Sequence, residues 1–291
     1  MADDDLGLAF DFDDDVFLDT EKKKPEPQII NYSAKQETEG ASLTQSHDPW
    51  FHSTKDFEAL MLEHHGPNQI KNAIEHDYLY KRYDVALEKA LAYIRVAETN
   101  TACKITNTRE MSEIAVHCAA RTGRFDILED MLDRKQTTQE LGSLLLKGRM
   151  YPLCGRWADA MKVLVEYNKN RKLDYAVWVR MSQLVMDAGK EDIKRDLAQL
   201  CINRAIHIMT SCRWNQSIEF ARVRFEKEKE AVQAAGRSIN GDPTQFMKWM
   251  EQNQPGLEEF RREDLEWIYR EYTQKQEEQE EEEGIGAVRD L

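Results

Sequence analysis

The chain is poor in the residues that punctuate a β-rich fold. Only 7 Pro and 13 Gly are spread over 291 residues, too few for the closely spaced turns of a sandwich or barrel. Helices are expected instead. Cysteine is scarce too. Cys103, Cys118, Cys154, Cys201 and Cys212 are odd in number and form no CxxC pair, which excludes a disulfide framework and a paired-cysteine zinc site. Thiols so spread behave as small apolar residues and suit a reducing compartment. No apolar run approaches the ~18 residues that a membrane-spanning helix needs. The Asp-rich N-terminus carries neither the basic nor the apolar region of a secretory signal. The expectation is a chain without membrane insertion, intracellular in the cytoplasm and/or nucleus.

Catalytic signatures are missing as well. There is no GxSxG elbow, HExxH pair, Walker loop or GxGxxG turn. His64-His65 followed by His76 is the nearest approach to a metal spacing. If helical, the adjacent pair would point in different directions and share a metal poorly. The same geometry argues against His117-Cys118 as an activated thiol. The sequence therefore predicts no enzyme, with no catalytic residue, no cofactor and no metal.

What is present is charge, unevenly placed. Of the net −14, residues 1–20 contribute eight Asp and residues 277–283 six Glu, with no base in either stretch. Residues 21–276 hold 39 acids and 39 bases. A neutral body with acidic ends repels phosphate backbones, so no nucleic-acid partner is expected.

Residues 1–47 read as a disordered acidic tail, being polar and without apolar periodicity. Within it Phe10, Phe12, Val16, Phe17 and Leu18 are interleaved with Asp. Such acidic-hydrophobic segments serve as docking motifs, act as solubilising tails or fold back on their own domain. Lys22-Lys-Lys-Pro25 is either a short import signal or a counter-charge to the Asp before it. Asp48-Pro49-Trp50 resembles a tripeptide bound by clathrin-adaptor appendage domains. Trp50 and Phe51 also suit a plug on the first helices.

From Lys55 the 3.6-residue period begins, with Phe57, Leu60, Met61 and His64 on one face and Gly66-Pro67 as its stop. Helical pairs follow at about 68–80 with 83–99, and 109–121 with 125–135. A third runs from about Gln139 across Gly155, and a fourth from near Asp174 across Gly189. Arg213-Trp214 restarts a helix to about 235. Asp242-Pro243 reads as an N-cap and first helical residue. Pro255 is expected to open a last helix bearing Leu257, Phe260, Leu265 and Trp267, which covers the open end of the array or offers itself to a partner. The domain reading is thus 48–240 repeats, 241–275 capping helices and 276–291 a second disordered acidic tail.

The pairs resemble tetratricopeptide (TPR) repeats. Gly148, Tyr151, Gly155, Trp157 and Ala160 match that family's register of small, aromatic, turn, aromatic and small residues. Tyr83 with Ala86, Gly123 with Phe125, and Trp178 with Gly189 match in part, whereas Ile74 and Leu128 stand where the family has small residues. The wedge aromatics at 83, 125, 157 and 214 are 42, 32 and 57 apart, against about 34 in the family. The array is therefore degenerate. The acidic-aromatic N-terminus, Pro-Trp-Phe and repeats are also similar, less closely, to an animal open-reading-frame family, which implies no activity.

The TPR resemblance implies an all-α, right-handed α-solenoid whose first helices line a groove for a partner peptide or helix. By register the groove holds Lys71, Glu75, His117, Leu145, Arg149, Gln183 and Met186. Of the places where some members clamp a chaperone carboxylate, here Lys71, Glu75, Ile114, Gly142 and Leu146, only Lys71 fits. The expected function is a non-catalytic scaffold or adaptor for protein partners, its N-terminal motif acting in trans or folding back onto the repeats. The alternative is a structural subunit whose repeats are covered in a stable assembly.

Overall fold

A computed structural model describes residues 56–134, 140–211, 218–252 and 254–274. The Phe10–Leu18 motif, Pro49-Trp50-Phe51 and both acidic runs lie outside the described residues. The described residues form helices and no strand. In order these are α1 (Phe57–Leu62), α2 (Gly66–Leu79), α3 (Tyr83–Thr99), α4 (Arg109–Thr122), α5 (Phe125–Asp133), α6 (Leu141–Met150), α7 (Trp157–Asn170), α8 (Tyr175–Ala188), α9 (Asp192–Ser211), α10 (Glu219–Ile239), α11 (Pro243–Glu251) and α12 (262–274).

Caps and turns explain several boundaries. Asp56 accepts the Ala59 N–H at 3.0 Å and starts α1. Asp242 accepts the Thr244 N–H at 2.9 Å and Pro243 opens α11, as its sequence predicts. Gly123 ends α4 with φ 71°, a left-handed cap that a side chain would strain. Gly66-Pro67 does not stop a helix. It starts α2, where proline's missing N–H costs nothing. Pro255 likewise does not open the last helix. Gly256 has φ 127°, which no α-helix accommodates, and the indole of Trp249 donates to the Pro255 carbonyl at 3.0 Å. Residues 254–261 therefore form a loop that buries Leu257 and Phe260, and α12 follows it.

Consecutive helices pack on one another from α1 to α5 and from α6 to α10, and α11 returns to α9. Their apolar faces join in one buried cluster running from Leu60 to Ile268. At the third hairpin α6 and α7 approach closely. A Cβ added at Gly148 would sit 2.6 Å from Leu164 Cδ2, so the small residue is a packing requirement. Ala160 is fully buried. Tyr151 lies in a 3-10 turn (Tyr151–Cys154) rather than in α6. The Arg156 guanidinium covers its ring at 4.7 Å and also pairs with Asp133 and Asp159, both at 2.8 Å. The aromatic after the turn is not always a wedge, because Phe125 is 45% exposed.

The C-terminal segment reaches back across three helices. Arg261 pairs with Asp159 at the start of α7 at 2.6 Å, and Glu271 accepts from Lys172 just beyond α7 at 3.2 Å. Trp267 stacks on Trp178 of α8, ring centres 5.7 Å apart. Glu259 accepts from Lys194 of α9 at 2.7 Å. This segment thus fastens α7, α8 and α9 together.

Candidate functional site: the first-helix face

The residues placed in the groove by register lie on α2, α4, α6 and α8, the first members of the four helical pairs. At the α2 end, Lys71 is half-buried and donates to Glu110 of α4 at 2.9 Å. That bond is the main reason its pKa is raised, against the opposing effect of burial. Glu75, one turn on, is exposed. Lys71 is therefore already neutralised and is not an open anchor for a carboxylate.

The middle of the face is different. His117 of α4 is half-buried, with its ring centre 6.3 Å from that of Tyr78 of α2. Burial lowers its pKa first, and Arg121 and Arg149 lower it further, while Glu113 acts in the opposite sense. Glu113 is itself held by Arg109 at 2.8 Å. Arg109 also pairs with Glu140 just ahead of α6, which ties α4 to α6. Arg149 of α6 is exposed, and its charge is felt by His117 on one side and by Arg180 of α8 on the other. Leu145, one turn before Arg149, is half-buried against the core.

Arg180 was not among the residues expected from register. Its Nε is buried without a hydrogen-bond partner, and one Nη donates to the Gln183 side-chain oxygen at 3.4 Å. Burial lowers its pKa, with Asp187 opposing and Arg149 reinforcing. Met186 lies half-buried one turn beyond Gln183 and completes the α8 edge. Arg121 was missed too. It lies four residues after His117 with its guanidinium 5.7 Å from the Tyr83 ring centre. Both were reachable by stepping three or four residues along the helix from a residue already chosen. Among the described residues, Arg121, Arg149 and Arg180 make no ion pair with a carboxylate. The structure thus brings His117, Arg149 and Gln183 into one strip with Arg121 and Arg180. It leaves Lys71 and Glu75 at a separate, charge-balanced end.

Other chemistry-bearing residues lie elsewhere. Cys118 is fully buried, and burial pushes its thiol up to about 12, so it stays protonated at neutral pH. His64 and His65 do touch, Nδ1 to Nε2 at 3.1 Å. This corrects the expected divergence, because α1 ends at Leu62 and the pair sits in a turn. His76 is engaged with Arg82 at 2.8 Å instead. Among the described residues, no group of three or more His, Cys, Asp or Glu is placed to hold a metal ion, and no helix is long and apolar enough to cross a membrane. A polar hollow of about 470 Å³ between α9 and α10, with Gln199, Gln233 and Arg237 in its wall, lies apart from the first-helix face.

Comparison with protein families, with curated proteins and with solved structures finds no match for the chain.

Proposed function

We propose that the chain is a non-catalytic interaction scaffold, a right-handed α-solenoid of degenerate TPR-like hairpins that holds a protein partner along α2, α4, α6 and α8. The observation that carries this reading is the arginine strip beside half-buried Leu145 and Met186. Unneutralised guanidinium groups next to apolar side chains suit a segment that mixes acidic and apolar residues. The Lys71–Glu110 pair limits the useful charge to the middle of the face.

A second reading, a subunit of a permanent assembly, is favoured by one separate feature. Ile218, Phe220 and Val223 at the start of α10 are all exposed, and α10 buries only Val232 and Gly236. Exposed apolar groups so close together mark contact surfaces.

Affinity capture with the full chain and two charge-introducing variants separates the readings. Met186→Asp alters the first-helix face, and Phe220→Asp alters α10. Loss of a stoichiometric partner with the first variant alone supports the scaffold. Loss with the second alone overturns it in favour of the assembly subunit. An unaltered set of captured proteins with both overturns each reading.

A further inference from the structure

Three features compete for a further role: the α9–α10 hollow, the apolar start of α10 and the arginine strip. The hollow is open and polar with no convergent charge, and nothing in the structure shows what covers the α10 patch. The strip carries more, because its chemistry specifies an occupant.

Three guanidinium groups sit on successive first helices without an ion pair to a carboxylate among the described residues, and one of them has a buried Nε with no hydrogen-bond partner. Arg180 is half-buried, so a carboxylate that meets its outer Nη nitrogens is screened by less water than one at a fully solvated arginine. Half-buried Tyr78, Leu145 and Met186 supply apolar contact along the same strip. The complementary ligand is therefore a peptide that presents carboxylates and large apolar side chains within a few residues of each other. The chain contains such a peptide. Between Asp3 and Asp19 it has eight Asp and no base, with Leu6, Leu8, Phe10, Phe12, Val16, Phe17 and Leu18 among them. The other acidic run, 277–283, has six Glu and no apolar residue, so it matches the charge but not the apolar neighbours.

Reach permits the contact. About 37 residues separate Asp19 from Asp56, the cap of α1. A chain that long spans at most roughly 120 Å extended and about 35 Å as a random tether. Packed helices lie about 8–10 Å apart and α4 packs directly on α2, so the tether is long enough to bring the segment to Arg121 on α4.

We propose that the strip formed by Arg121, Arg149 and Arg180 binds the chain's own Asp3–Asp19 segment, so that an incoming partner must displace it. The inference rests on the first-helix face being the docking surface. It adds that the resident ligand is intramolecular.

The test uses the full chain with the photoreactive residue p-benzoylphenylalanine placed at Phe12, and crosslinks mapped by mass spectrometry. The expected result is an intramolecular crosslink to α4, α6 or α8, in monomeric protein and independent of concentration. Its yield falls as salt rises from 0.1 M to 1 M, where the screening length shrinks from about 10 Å to about 3 Å. Arg121→Glu with Arg149→Glu, both at exposed positions, lowers the yield roughly fivefold or more. The tail variant D13N/D14N/D15N lowers it as well and leaves the folded helices untouched, so it guards against a folding artefact in the arginine variant. E280Q/E281Q/E282Q leaves the yield unchanged.

Crosslinks on α9–α12, crosslinks only between molecules, or a yield indifferent to both the arginine and the tail variants would overturn the proposal. If the crosslink maps elsewhere while Met186→Asp still loses the captured partner, the docking face stands and only the intramolecular ligand is wrong. If Met186→Asp loses nothing and the crosslink still maps to the strip, the reverse holds.

Discussion

The C-terminal crossing of α7–α9 and the middle of the first-helix face use the same charged residue types in opposite ways. Where the C-terminal segment crosses α7–α9, the bases meet acids. Arg261 has Asp159, Lys172 has Glu271, and Lys194 has Glu191 and Glu259. On the first-helix face, Arg121, Arg149 and Arg180 have no carboxylate to pair with among the described residues. Paired charges that join distant parts of the chain fasten a fold. Charges kept without partners beside apolar groups are available to a ligand. Sequence composition cannot separate the two, since both sides contribute to the same balance of 39 acids and 39 bases.

If that contrast is right, the largest effects on stability come from the fastened side. Trp178 is 1% exposed, stacked on Trp267 and covered by Arg204 at 5.9 Å. Trp178→Ala removes a large buried ring and the seat of α12 together, and is expected to cost about 3–5 kcal/mol. Chemical denaturation measures it. A loss below about 1 kcal/mol would mean that α12 is not fastened to α8 in solution.

Lys194 comes next. Its side chain is 2% exposed, and its ammonium reaches Glu259 at 2.7 Å, Glu191 at 3.1 Å and the Ala188 carbonyl at 3.3 Å. Burial alone would lower its pKa, but the hydrogen bonds it donates to both glutamates outweigh this and raise it. Lys194→Met keeps the apolar stem and removes the charge. The expected loss is about 1–3 kcal/mol, because the two glutamates are partly exposed and regain water. Hydrogen exchange should show the loss first in the 254–261 loop.

These two residues also mark how far the sequence could be read. Helix bounds were legible wherever the signal is local. Tyr83–Thr99 was expected to the residue, Gly123 ended its helix, and Asp242-Pro243 started one. Local signals failed where the same residues admit two uses. Gly66-Pro67 can end a helix or begin one, and tertiary packing decided. The path of α12 was not legible at all. The Lys194–Glu259 pair spans 65 residues and Arg261–Asp159 spans 102, and no periodicity encodes which acid meets which base. Register assigns Lys71, His117, Arg149 and Gln183 to the first helix of each pair, and helices form at all four places. Arg180 was not legible, because its significance lies in a buried Nε without a partner, which only packing reveals.

A third prediction concerns a poorly satisfied carboxylate on the fastened side. Asp264 is buried near the start of α12, and its Oδ2 has no hydrogen-bond partner. Burial raises its pKa above the ordinary 3.8, with Arg261, Lys169 and Lys162 opposing and Glu263 reinforcing. A raised folded-state pKa stabilises the protonated form. Its contribution is complete below 3.8 and is lost as pH rises through the folded value, so the ionised group costs stability at neutral pH. Asp264→Asn is expected to raise the melting temperature at pH 7 by up to about 2–4 °C and to change nothing at pH 3. A gain that persists at pH 3 would show that ionisation is not its source.

The smallest expected effect bears on the contrast most directly. Arg121→Glu with Arg149→Glu reverses two charges on the open face, where neither arginine has an acid to lose among the described residues. Exposed substitutions outside caps, cores and paired networks usually stay within about 0.5 kcal/mol. The double variant should therefore unfold at nearly the denaturant concentration of the parent. Two local terms act in opposite directions. Reversing Arg121 and Arg149 takes a base from the last turn of α4 and of α6, where each complements the helix dipole. Reversing Arg149 removes a like charge that Arg180 now feels and replaces it with an acid. If the variant instead loses stability as Lys194→Met does, the arginines are structural and the two regions do not differ. Unchanged stability together with a weakened Phe12 crosslink is the outcome a surface held open for a ligand must give.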